Sequence, residues 1–242
     1  IDEDIEVLPN FRWMTLGQIK KLMDVDNLVN MDTRTVLSGI PLICIDLPKE
    51  DKEQLKEYFT DQALYSSIYE TEPTEELPAI YQMMNNYKMF QDVKTVTVPV
   101  NQLVDWVVDD KGITCKKQAN FMVRYYDIEI SGREVQHWTQ PLFKAIGMAT
   151  FGLITKVENG TRKYLVKLRD EIGSFDKVEL GPTVQWEPTH YLYNDDEVEK
   201  IFRQHMERKD NVQIDVVLSE EGGRFYHEQN RNLILEIDGN EI

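Results

Sequence analysis

The densest group of proton-moving and charge-holding side chains runs Glu220-Glu221-Gly222-Gly223-Arg224-Phe225-Tyr226-His227-Glu228-Gln229-Asn230-Arg231. Tyr, His and Glu can pass protons, and two arginines beside them can hold developing negative charge or a phosphate. If the run is a strand, Tyr226 and Glu228 share the face opposite His227; if it is a loop, all three can converge. Both placements stay open from the residues alone. A second group, Gly132-Arg133-Glu134-Val135-Gln136-His137-Trp138-Thr139-Gln140-Pro141, reads as a loop at strand ends. Its arginine can fork onto a phosphate, its indole can stack on a base, and its amides can read a base or sugar edge. The plainer account makes Trp138 a core anchor and Arg133–Glu134 a surface pair. Asn30-Met31-Asp32-Thr33-Arg34-Thr35 is a third polar run, in which Asp32 and Arg34 can also simply cap a helix end. His190 and His205 fit surface positions and receive no role.

Residues 131–169 carry seven basic side chains against Glu134 and Glu158, a local +5 within a 242-residue chain of net charge −16. That asymmetry suits a small anionic ligand, although lysines and arginines on the solvent face of a strand pair would look the same. The overall charge argues against gripping a nucleic-acid backbone. No apolar stretch is long enough to span a bilayer. Cys44 and Cys115 have neither disulfide-framework nor zinc-ligand spacing, which fits a reducing cytoplasm. There is no GxGxxG, Walker loop, nucleophile elbow, HExxH or EF-hand pattern.

These groups need a frame. Leu16, Ile19, Leu22 and Met23 recur at helical spacing behind Thr15 as N-cap, ending near Asp26-Asn27. Lys49 to about Ile68 reads as one solvated helix, and Ala79 to Phe90 as another. Residues 93–98, 119–130, 147–157, 161–169 and 178–185 are rich in β-branched and aromatic residues and read as strands. Asn159-Gly160 is a hairpin turn between two of them. A helix over 195–208 and strands over 212–218 and 232–237 follow. The pattern is α+β, a mixed or antiparallel sheet covered by helices, in one domain spanning 1–242.

Five runs in order, Trp13-Met14-Thr15-Leu16, Val29 to Ser38, Arg133-Glu134-Val135 with His137 to Leu142, Gly181-Pro182-Thr183-Val184-Gln185, and Gly222 to His227 with Asn230-Arg231, resemble the NDP-hexose 2,3-dehydratases of deoxysugar biosynthesis over about residues 11–237. The resemblance implies a Nudix-like mixed β-sheet flanked by helices, without the Nudix box of the hydrolases. It implies removal of water across carbons 2 and 3 of dTDP-4-keto-6-deoxyglucose, with no metal and no cofactor. Members look like two such modules in one chain of about twice this length. The motifs here occur once each, implying either a single module that pairs as a homodimer or one half that lost catalysis, with no nucleic-acid or membrane partner. His227 is then expected as base, Tyr226 or Glu134 as acid, and Arg224 or Arg231 on the enolate or phosphates. Arg34, Arg133, His137, Trp138, Gln140, Gln185, Asn230 and Arg231 are expected to hold the nucleotide sugar. A non-catalytic nucleotide-sugar binding module is the alternative.

Overall fold

A computed structural model describes residues 9–40, 47–72, 75–92, 94–132 and 134–242. Two compact units divide the chain, Ile1–Ile40 and Pro41–Ile242. In the first, α1 (Leu16–Leu22) starts at a capping box in which Thr15 and Gln18 satisfy each other's backbone N–H. Helix α2 (Met31–Ser38) is capped by Asn30, whose Oδ1 accepts from the N–H groups of Asp32 and Thr33. Arg34 therefore sits within a helix, and Asn30 rather than Asp32 or Arg34 does the capping.

In the second unit, the single helix expected over 49–68 is two, α3 (Lys49–Lys56) and α4 (Gln62–Tyr69). Asp61 accepts from Leu64 N–H and restarts the helix, while Gln62 Nε2 closes the turn onto the carbonyls of Lys56 and Phe59. Helix α5 (Leu77–Phe90) follows. Residues 94–98, expected as part of a strand, have no ladder partner among the described residues, and Val96 is exposed. Val93 lies outside the described residues.

Two sheets come next. The first is antiparallel with strand order β1 (Trp106–Asp109), β2 (Gly112–Cys115), β3 (Phe121–Glu129), β4 (His137–Ala145). Strand β4 corrects the loop expected around Pro141. The edge position explains the proline: Phe143 N–H points away from β3 and donates to Arg224 O (2.8 Å). Pro141, two residues earlier, has its missing N–H on that same outer side, so no β3–β4 bond is lost. Tyr226 N–H in turn donates to Phe143 O at 2.7 Å.

The second sheet is mixed, in the order β7 (Val178–Pro182), β6 (Thr161–Asp170), β5 (Ala149–Glu158), β10 (Gln229–Glu236), β9 (Val212–Ser219), with β8 (Val184–Trp186) also on β5. The run expected as one strand over 178–185 breaks at Thr183, whose hydroxyl bonds back to Leu165 O and accepts from Ile154 N–H. Asn159 and Gly160 have φ of 52° and 78°, the positive values a two-residue hairpin turn of matching twist needs. Strands β5 and β10 run parallel and the other pairs antiparallel.

Helix α6 (Glu197–Arg208) covers one face of this sheet. Fully buried Phe202 packs with Ile154, Val184, Trp186, Leu233, Leu235 and Ile237. Helix α4 packs on β6, where Asp61 pairs with Arg162 at 3.0 Å and the hydroxyls of Ser66 and Thr161 are 2.8 Å apart. The whole is α+β, with antiparallel and mixed sheets flanked by helices.

Candidate active site

Strand alternation sorts the expected residues onto faces. On β4, Trp138, Gln140 and Lys144 share one face, together with Tyr126, which is Gln140's partner on β3. Trp138 Nε1 donates to Gln140 Oε1 at 2.5 Å, and Gln140 Nε2 donates to Gly223 O at 2.7 Å. The amide thus has one orientation and ties the 223–226 segment to β4. The Phe143–Phe225 bridge points Phe225 at the opposite face, so Tyr226 returns to the face of Gln140. There its ring stacks on Tyr126 (centroids 4.4 Å apart, planes at 22°) and on His227 (4.1 Å, 13°), with Lys144 Nζ 5.8 Å from its centroid. His227 is exposed and has φ of 53°, a left-handed backbone that histidine adopts more readily than most residues. That kink sets the imidazole against the Tyr226 ring in place of plain alternation. Burial pushes the Tyr126 phenol above its ordinary pKa, Tyr226 adds to the effect, and Arg124 opposes it. Tyr126 therefore keeps its proton and can donate a hydrogen bond.

A second set of expected residues lies on the face of the second sheet opposite α6. Gln185, Phe151 and Asn232 lie in one row across β8, β5 and β10, and Asn230 stands two residues from Asn232 on the same face. Asn230 is 4% exposed, and its Nδ2 donates to Glu220 Oε1 at 2.6 Å. Half-buried Glu228 lies one step beyond the Gln229–Ser219 pair, with its carbonyl accepting from Glu220 N–H at 3.0 Å. Burial raises its pKa, and the charges of Glu220 and Glu187 raise it further.

Several expected residues lie apart from this group. His137 is on the other face of β4, exposed, with Nε2 2.6 Å from Asp127. Arg231 is on the α6 side and forms a two-pronged pair with Asp215 at 2.7 and 2.8 Å. Arg224 is exposed and bonded to Glu221. Glu134 is exposed between β3 and β4. Arg34 belongs to the first unit, and Arg133 and Cys44 lie outside the described residues. Tyr126 and Lys144 are not among the expected site residues, and Glu228 enters only as a proton-moving member of the 220–231 run. Only strand pairing reveals the first two, whereas the tight spacing Tyr226-His227-Glu228 already marked the third.

His205, expected at the surface, is buried between Asp210 (2.6 Å) and Glu241 (3.0 Å). His190, Asp195 and Glu199 bring one ring nitrogen and two carboxylate oxygens within 4.8 Å of one another, a spacing a cation could use. Arg203 already grips Asp195 with two nitrogens, and Lys167 reaches Glu199 at 3.3 Å. A metal ion there would face two fixed positive charges, so the group reads as an anchor for α6.

A family model described as NDP-hexose 2,3-dehydratase matches residues 1–40 and 77–242. A protein of Streptomyces violaceoruber named dTDP-4-dehydro-6-deoxy-alpha-D-glucopyranose 2,3-dehydratase is 34% identical over 241 residues, 99% of this chain and 50% of that protein. Proteins of the same name from Saccharopolyspora spinosa and Amycolatopsis orientalis are 32% and 29% identical over 98% of this chain. The chain spans about half the length of the curated relatives it matches.

Proposed function

The chain belongs to the NDP-hexose 2,3-dehydratase family, and from that premise we propose that it removes water across carbons 2 and 3 of dTDP-4-keto-6-deoxy-D-glucose. The observation that carries this reading is the stack of His227, Tyr226 and Tyr126 on the face that also holds Trp138, Gln140 and Lys144. The 4-ketone acidifies the proton on carbon 3, and His227, exposed at the end of the stack, takes it. The electron pair moves onto the 4-oxygen, where Tyr126 and Tyr226 supply O–H donors and Lys144 supplies charge. Collapse of the enolate expels the 2-hydroxyl, which must be protonated because hydroxide leaves poorly. The resulting 3-enol becomes the 3-ketone as carbon 2 takes a proton. Electrons are only redistributed within the sugar, so no redox cofactor is called for. Trp138 offers a stacking surface to the base, and Gln185 and Asn230 offer amides to the nucleotide sugar. The basic residues of the motifs, Arg133 and Arg224 among them, are the proposed diphosphate contacts.

The frame we read as Nudix-like, on the strength of a mixed sheet with a parallel central pair between helices. A cytoplasmic setting and a homodimer belong to the same proposal. The rival reading is a non-catalytic nucleotide-sugar binding module.

Incubation with the keto sugar nucleotide in deuterated water separates the two. Turnover should yield a 3,4-diketo-2,6-dideoxy product with deuterium at carbon 2. His227→Asn should keep dTDP affinity and lose most turnover, because an amide approximates the ring without accepting a proton from carbon. Binding of dTDP without loss of water sinks the dehydratase reading, and near-normal turnover by His227→Asn removes the histidine from the role of base.

A further inference from the structure

The departing 2-hydroxyl needs an acid, and three carboxylates gather where the 226–228 segment enters the mixed sheet. Glu228 and Glu220 stand opposite each other at the mouth of the β9–β10 ladder, a placement that holds side chains about 5 Å apart at Cβ. Glu187 directly follows β8 on the alternation of Gln185, the same face, and its charge acts on Glu228. Like charges so placed cannot all ionise cheaply, and half-buried Glu228 is the member that burial and both neighbours drive toward the neutral acid. Asn230 reaches into this cluster. Its Nδ2 donates to Glu220 Oε1 at 2.6 Å, while its Oδ1 is buried with no hydrogen-bond partner among the described residues. A buried amide oxygen left unsatisfied costs stability and is the mark of a position where a donor, such as a sugar hydroxyl, belongs.

We propose that Glu228 is the catalytic acid of the dehydration, delivering its carboxyl proton to the 2-hydroxyl as the carbon–oxygen bond breaks, with Glu220 and Asn230 as its positioning residues. The inference rests on the dehydratase reading above. The step balances. His227 takes the proton from carbon 3. The electron pair forms the bond between carbons 2 and 3, and the 2-oxygen leaves as water with the proton from Glu228. As the 3-enol becomes the ketone, its hydroxyl proton returns to the Glu228 carboxylate, and protonated His227, exposed and exchanging its ring proton with solvent, supplies carbon 2. Both residues end the cycle as they began it, and His227 and Glu228 are adjacent in the chain.

The test compares two substrates, the keto sugar nucleotide and its 2-deoxy-2-fluoro analogue, whose fluoride departs without a full proton. Glu228→Gln should lose about 10²- to 10⁴-fold in kcat on the hydroxyl substrate, the usual span for a positioned acid. It should stay within about tenfold of wild type on the fluoro analogue and keep its affinity for dTDP. His227→Asn should lose turnover of both, since carbon 3 must be deprotonated in either case. If the wild-type chain turns over the hydroxyl substrate and Glu228→Gln keeps that rate, or loses both substrates equally, Glu228 is not the acid. A wild-type chain inert toward both substrates overturns the dehydratase reading and this inference with it.

Discussion

Phe202 reaches the sheet because Gly152 leaves room for it: a Cβ built on Gly152 would sit 2.1 Å from Phe202 Cζ. A ring that is fully buried among Ile154, Val184 and Leu233 has nowhere to retreat, so Gly152→Ala must distort the packing of α6. Overpacking of this kind costs about 1–3 kcal/mol, and a melting-temperature drop of roughly 2–12 °C is expected by calorimetry. Gly173→Ala, with nothing within 4 Å of the added methyl, should shift it little. At this scale the sequence showed the chemistry and hid the geometry. Tyr226, His227, Trp138 and Gln140 stood out by type, but Tyr126 is found only once Gln140 is known to be its cross-strand partner. The exclusion of His137 follows equally from alternation, which sends it to the far side from Trp138.

Helix α6 is held by its ends as much as by its apolar stripe. Asp196 caps it, and just before the cap Asp195 is clasped by Arg203 from the helix and by His190 at 2.6 Å. The hydrogen bonds from Arg203 outweigh burial and, with His190, hold the Asp195 carboxyl below the ordinary aspartate range, at about 2. A carboxyl with a depressed folded-state pKa contributes stability above its unfolded pKa and loses it as pH falls toward the folded one. Asp195→Asn should therefore unfold at a lower temperature than wild type near pH 6, by an amount on the order of 2 kcal/mol, and the two curves should converge as pH falls from about 4 to 2. A gap that persists at pH 2 would assign the effect to packing. Elements with local signals were readable: the Thr15 N-cap, the Asn159-Gly160 turn and the helix expected over 195–208 all advertise themselves in neighbouring residues. Strand β4 was not, because Pro141 breaks the usual pattern and is tolerated only at a sheet edge facing away from β3. The split between α3 and α4 turns on Asp61, one cap in a stretch that otherwise reads as continuous helix.

For the molecule as a whole, a net charge of −16 means that a diphosphate must find its positive charge locally. Titration with dTDP should raise the melting temperature, less so at high salt as counter-ions screen Lys144 and its neighbours. Light scattering at micromolar concentration is expected to show the proposed homodimer, and an active monomer would refute the pairing. Strand β5 sits at the centre of the mixed sheet, yet its two principal neighbours join it by very different routes. Strand β6 arrives through a two-residue turn, a closure of microseconds, whereas β10 must return in parallel across everything between Glu158 and Gln229. Such non-local pairing is entropically slow, so the β5–β6 hairpin should be formed early and β10 inserted late. In stopped-flow refolding, Gly160→Val in the turn should slow folding, and Leu235→Ala in β10 should mainly speed unfolding. Until β10 docks, β5 presents an open, half-apolar edge, and it is in that interval that the chain is most exposed to pairing with the wrong strand.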